Sequence, residues 1–246
     1  MDLTIKIIGL GGIGSQLIGQ LCQFLHYYKV GLASNENFAR GMEIESPPIY
    51  ETISVTLIDG DSYEPRNRER QIFSRVGPKA EVKVSDLMEE YGSLSYSFIN
   101  EYVTENNIAS MIEDGDIVIL GVDNHPTRRI VSDYCSTLPN IHIFSGGNGF
   151  HKATIQRYIR RDGVDLRPNL CKYHPEIAED NEGHPNTMGC EALSRREPQL
   201  IFANTEVATK LCSAFYTEII LGIDTQISDS YSDLITGQTI SKKYPV

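Results

Sequence analysis

The sequence predicts an α/β fold: a mostly parallel sheet with helices on both faces and an antiparallel extension. Three observations lead there. Short β-branched runs alternate with longer segments of helical periodicity, the pattern of strands joined through crossover helices. The first junction, G-L-G-G-I-G-S after T-I-K-I-I, places glycines where a strand gives way to a helix. Beyond residue 150 the chain changes character, with a second run directly after a strand, a long polar stretch and a hairpin signature.

Taken in order, T-I-K-I-I-G-L at 4–10 reads as the first strand, and Gly14 to Val30 as a helix with Ile13, Leu17, Leu21, Phe24 and Leu25 on one face. Residues 31–50 hold turn formers and two prolines and form a long insertion before the strand Thr52–Ile58. A helix over 79–91, a strand over 95–104 and a buried strand over 116–123 follow. Pro126 opens a helix to about Ser136, proline being favoured in the first turn. I-H-I-F-S-G-G-N-G is the next strand, with A-T-I-Q-R-Y-I-R returning antiparallel to it. Residues 162–190 make an irregular crossing segment, 200–220 a helix, and the tail a hairpin around T-G-Q. The whole chain, 1–246, reads as one domain: a nucleotide-binding core over 1–150, then the crossing loop, last helix and hairpin over 151–246.

Of 246 residues, 40% are apolar and 22% charged, as in ordinary globular proteins. A net charge of −11 repels nucleic acid and anionic membrane surfaces, so basic residues matter only where they cluster. The opening lacks the basic head and apolar stretch of a signal peptide, and Glu206, Lys210 and Glu218 interrupt the most apolar later region. Five cysteines (Cys22, Cys135, Cys171, Cys190 and Cys212), none in a C-x-x-C pair, suit reduced thiols in the cytosol.

Gly9, Gly11 and Gly14 satisfy G-x-G-x-x-G between a strand and a helix, the context of a Rossmann-type phosphate site. Glycine lets backbone approach a phosphate, and the helix terminus offers unpaired N–H groups with partial positive charge. Asp59, at the end of the second strand, is the carboxylate that would hold a ribose. At this point NAD and ATP fit equally. The following stretch, D-G-D-S-Y-E-P-R-N-R-E-R-Q, separates them. A redox dinucleotide has no need of Asn67, Arg70 and Lys79, whereas a triphosphate with Mg²⁺ needs cations for its oxygens and a carboxylate for the metal. Asp123, at the end of a later strand, is placed for the metal.

G-L-G-G-I-G-S, the Asp59–Gln71 stretch, V-G-P-K-A and G-V-D-N with Arg128 close behind together resemble the ThiF/MoeB/HesA adenylating proteins, the superfamily of ubiquitin-activating enzymes. The resemblance implies that Asp59 holds the ATP ribose and that Asn67, Arg70 and Lys79 contact the triphosphate. It also implies that Gln71 completes the R-Q pair and that Asp123 binds Mg²⁺. Gly9, Gly11, Gly12, Gly14 and Asp61 belong to the same nucleotide-binding set. G-G-N-G, Y-H-P-E-I, G-C-E-A-L and P-Q-L-I-F-A-N-T-E-V-A are similar to a compact bacterial branch. That branch includes ThiF-like proteins of plasmid PRTRC systems and activating enzymes of bacterial ubiquitin-like conjugation operons, so a role in antiviral defence comes within reach. The paired zinc cysteines frequent in the family are absent, so no structural zinc is expected. Many members also use an arginine from a neighbouring subunit's N-terminal helix; here the sequence opens on a strand, so that arginine comes from elsewhere or the homodimer forms differently.

The implied reaction is attack of the C-terminal carboxylate of a ubiquitin-like protein on the α-phosphate of ATP, with Arg70, Lys79, Asp123 and Mg²⁺ at the reacting centre. A cysteine can then capture the acyl group as a thioester for a conjugating enzyme. Cys190, before the last helix, best matches that position, with Cys171 in reserve; Cys22, Cys135 and Cys212 read as buried thiols. A Cys₂His₂ metal site from Cys171, His174, His184 and Cys190 has no standard spacing. Other readings are a sulfur-carrier adenylator, an NAD-binding oxidoreductase and a non-catalytic scaffold.

Overall fold

A computed structural model describes residues 1–31, 48–179 and 200–246. Strand β1 (Asp2–Ile8) runs through the glycine loop into helix α1 (Gly12–Lys29), and β2 (Thr52–Ile58) follows the insertion, whose residues 32–47 lie outside the described ones. A small ribbon, β3 (Ser62–Tyr63) with β4 (Gly77–Pro78), leads into α2 (Lys79–Glu90) and β5 (Ser95–Ile99). Then come β6 (Ile117–Leu120), α3 (His125–Cys135), β7 (Ile141–Asn148), β8 (Lys152–Arg161) and β9 (Val164–Asp165). The short α4 (Pro175–Ala178), α5 (Ile201–Phe215), β10 (Asp229–Asp233) and β11 (Thr239–Lys242) complete the chain.

Five strands, in the order β5-β2-β1-β6-β7, are parallel. Beyond β7 the ladder turns antiparallel through β8, β10 and β11, with β9 a short addition to β8. From β1 the chain builds outward to β2 and β5, then jumps back across β1 to β6 and β7. That reversal opens a crevice at the carboxyl ends of β1 and β6, the place where such sheets bind ligands.

Alternation along the strands sorts the core onto two faces. Ile5, Ile7, Val55, Leu57, Ile117, Ile119 and Phe144 meet α1, α2 and α5, while Ile58, Val118, Leu120, Ile141 and Ile143 meet α3, α4 and the turn at Ile108–Ser110. Gly146 sits directly beneath α5: a Cβ there would stand 2.6 Å from Val207 Cγ1 and 2.8 Å from Leu211 Cδ1.

The predicted layers are present, and several boundaries move for identifiable reasons. The strand expected to 104 stops at Ile99, because Ile99 pairs with Ile58, where β2 ends, and Asn107 Oδ1 then accepts from the Thr104 N–H. The strand expected over 116–123 is only Ile117–Leu120, since its partner β1 ends at Ile8 and the Gly121 N–H closes on the Ile8 carbonyl at 2.8 Å. The last helix leaves α geometry at Tyr216 and finishes as a π-helical turn to Ile220. Within the crossing segment β9 and α4 add short regular pieces up to residue 179, and residues 180–199 lie outside the described ones.

Candidate active site

The glycine loop is fastened at both ends of Leu10. Its N–H donates to Asp59 Oδ2 at 2.6 Å, and its carbonyl accepts from the buried Tyr63 hydroxyl at 3.0 Å. Gly9 has φ +88°, a left-handed conformation that glycine alone adopts freely, and a Cβ there would come within 2.9 Å of the Gly121 and Val122 backbone. Helix α1 then starts from Gly11 with no side-chain cap, and among the described residues no acceptor meets the N–H groups of Gly12, Ile13 or Gly14. These donors, with the positive end of an 18-residue helix behind them, favour an anion.

Asp59, placed by the end of the second strand, and Asp61 and Lys79, which the resemblance adds to the same set, come together in the structure. Lys79 is buried, its Nζ is 3.0 Å from Asp61 Oδ2, and its N–H donates to the Asp61 carbonyl at 2.9 Å. Burial alone would lower its pKa; the carboxylates of Asp59, Asp61 and Asp123 outweigh that and raise it, so Lys79 is a firm cation. Burial pushes the Asp59 carboxyl up, opposed by Lys79 and by the Leu10 N–H.

The three arginines of P-R-N-R-E-R-Q divide cleanly. Arg66 pairs with Glu64 at 2.8 Å, and Arg68 stacks on Phe73 and donates to the carbonyls of Phe73 and Ser74. Arg70, half-buried, has no ion pair or side-chain hydrogen bond among the described residues, which leaves its guanidinium for a ligand. Asn67 Oδ1 accepts from the Glu64 N–H at 2.9 Å and so holds the turn; its amide nitrogen is the group left over. Gln71 is buried beside Gly11, and its Oε1 has no partner among the described residues. Ser15 Oγ accepts from the Ile72 N–H at 3.2 Å, tying this segment to the first turn of α1.

Asp123 is exposed just past β6, and Asn124 caps α3 by accepting from the Thr127 N–H at 2.9 Å. Arg128, one turn along, points inward. It donates to the Val122 carbonyl at 2.6 Å, the Gly146 carbonyl at 2.7 Å and Ser145 Oγ, bracing the Asp123 turn against β7. Burial lowers its pKa to about 10 against the pull of Asp123.

Two contributors escaped the sequence reading. Tyr102 covers Gly60, and its hydroxyl donates to Asp61; nothing local links positions 41 residues apart. Asn204, on α5, packs its amide against Gly12, and it lay unmarked inside the quoted P-Q-L-I-F-A-N-T-E-V-A. Of the cysteines, Cys22, Cys135 and Cys212 are pushed up to about 12 by burial, as ordinary packed thiols are. Burial and Asp133 also raise Cys171, which disfavours a thiolate there; Cys190 and His184 lie outside the described residues.

A helix terminus with open donors, a buried lysine and an arginine unpaired among the described residues form a cationic α/β sheet edge with the chemistry to receive an anion. The ThiF family profile matches residues 50–180, more than half of the sequence, and the chain belongs to the ThiF family. A probable molybdopterin-synthase adenylyltransferase from Porphyra purpurea is 30% identical over 94 residues, 37% of this chain and 25% of that protein. The adenylyltransferase and sulfurtransferase uba4 of Pyricularia oryzae is 32% identical over 89 residues, 35% of this chain and 18% of that one. The chain thus spans a quarter or less of the curated relatives it matches. Among solved structures, Escherichia coli MccB with ATP superposes with a TM-score of 0.68 at 20% identity, covering 100% of this chain and 66% of that one. PaaA gives 0.65 at 14% identity, covering 98% and 64%. These likenesses establish the Rossmann-like fold. Among the described residues no helix is long and apolar enough to cross a membrane.

Proposed function

We propose that the protein is an ATP-dependent adenylyltransferase that activates the C-terminal carboxylate of a ubiquitin-like or sulfur-carrier protein. The observation that carries this reading is the pairing of a fixed cation, Lys79, with an uncommitted one, Arg70, beside the open donors of α1 in a chain of the ThiF family. The attacking carboxylate is already ionised at neutral pH, so no strong base is required. Its oxygen forms a bond to the α-phosphorus, the bond to the bridging oxygen breaks, and pyrophosphate leaves with the electron pair. Arg70 and Lys79 gather the negative charge that grows on the phosphoryl oxygens, and Asp59 fixes the loop on which they rest.

Mg²⁺ fits this site on the chemistry of its donors. Asp123 is an exposed carboxylate, and among the described residues no three His, Cys, Asp or Glu side chains form a cage. One carboxylate completed by phosphate oxygens is the usual way Mg²⁺ is held at a nucleotide, where it would neutralise phosphate charge.

Partner-dependent ATP–pyrophosphate exchange tests the proposal. Arg70→Ala should lower exchange by about 10²-fold or more, the scale for loss of one electrostatic contact to the transition state. Its unfolding midpoint should stay unchanged, because Arg70 makes no ion pair or side-chain hydrogen bond among the described residues. Full exchange in Arg70→Ala would refute the site. Transfer onto Cys190 and then to a conjugating enzyme is one continuation; delivery to a sulfur donor is the other, and the names of the two curated relatives favour it. An ATP-dependent, thiol-sensitive adduct lost in Cys190→Ala would decide for the first. The homodimer follows family habit and is tested by light scattering.

A further inference from the structure

Asn204 is fully buried, and among the described residues neither Oδ1 nor Nδ2 of its amide has a hydrogen-bond partner. Turning the amide over changes nothing, since both atoms are unmet and a donor is orphaned either way. Such a group costs stability unless something else answers it. Its position indicates what. All three atoms nearest to the Cβ site of Gly12 belong to this amide, with Cγ at 2.8 Å and Oδ1 at 2.9 Å. Gly12 is therefore glycine to admit Asn204, and the amide is pressed against the first residue of α1, whose N–H groups are unanswered too. Gln71, also buried with an unpartnered oxygen, brings its Nε2 to 3.8 Å from the Cβ site of Gly11, on the neighbouring residue of the same turn. The unmet donors at this terminus, Asn204 Nδ2 and the N–H groups of Gly12, Ile13 and Gly14, share one kind of acceptor, an oxyanion; the unmet Gln71 oxygen is itself an acceptor and is not counted with them.

We propose that Asn204 is a binding residue for a nucleotide phosphate seated on α1, supplied by α5 rather than by the glycine-loop half of the chain. The inference rests on the nucleotide reading above. An oxyanion could also come from the partner's carboxylate, and titration with ATP alone separates the two sources. Mg·ATP is titrated calorimetrically into the full chain and into Asn204→Leu and Asn204→Ala, and thermal unfolding of each is recorded without nucleotide. Leucine preserves the side-chain volume and removes both orphaned atoms. Both variants should bind ATP about tenfold more weakly, the scale for one hydrogen bond to a charged group. The unliganded midpoint of Asn204→Leu should equal or exceed that of the wild type, a result that a packing role does not give. Wild-type ATP affinity in the two variants overturns the inference, as does weaker binding that merely accompanies a lowered unliganded midpoint in Asn204→Leu. Failure of the wild-type protein itself to bind ATP overturns the nucleotide reading first.

Discussion

Arg128 shows how a residue in a nucleotide motif can act without facing the ligand. Its guanidinium answers two carbonyls and a hydroxyl in the interior. Arg128→Met should leave those acceptors unmet and cost about 3 kcal/mol, measured by urea unfolding. ATP affinity should fall as well, since the turn that presents Asp123 loses its brace. That Asp59 stands at the end of β2 was legible in the sequence, because a strand's end follows from its apolar run; Lys79, later in the chain, comes beside it through the β3–β4 ribbon. The role of Arg128 was not legible, because a linear pattern cannot distinguish a cation that meets phosphate from one that pins two strands. The same limit hid Tyr102 and Asn204, whose partners Asp61 and Gly12 are remote in the chain.

Elements were legible where the pattern is long and strongly periodic, as in β2, predicted and found at Thr52–Ile58. The ends of β5 and β6 were not, because a strand stops where its neighbour stops, and that neighbour lies elsewhere in the sequence. Helix α5 is the element on which most depends: it packs along α1 and lies over β7 at Gly146. Gly146→Ala should force Val207 and Leu211 away from the sheet and cost about 1–3 kcal/mol, seen as a lower denaturant midpoint with an unchanged slope.

For the whole molecule, two imidazoles pull the pH dependence of stability in opposite directions. His174 lies between Glu176 and Asp229, each at 2.9 Å, and Tyr231 also donates to Asp229. Burial alone would depress the imidazole; the two carboxylates overcome it and raise its pKa above the ordinary 6.5. A raised base contributes stability that is complete below 6.5 and is lost as pH rises through its folded value. Burial raises the carboxyls of Asp59, Asp116, Asp133 and Glu218, so these groups add stability as pH falls through their raised values. The net charge of −11 also shrinks on acidification. His142 works the other way across the neutral range, since burial lowers its pKa to about 4 and the unfolded chain binds the proton first. His174→Gln should therefore lower the urea midpoint more near pH ~6 than near pH ~8, whereas His142→Gln should raise it more near pH ~6. The parallel half was readable from composition and motif; the route by which 201–215 returns to the first turn of α1 was not, because no spacing rule links segments so far apart. That return has a consequence for synthesis. A polypeptide halted on the ribosome before Ile201 displays the whole glycine signature yet has no second wall for it, so any competence to hold a nucleotide there should arise late and abruptly as the segment carrying α5 emerges.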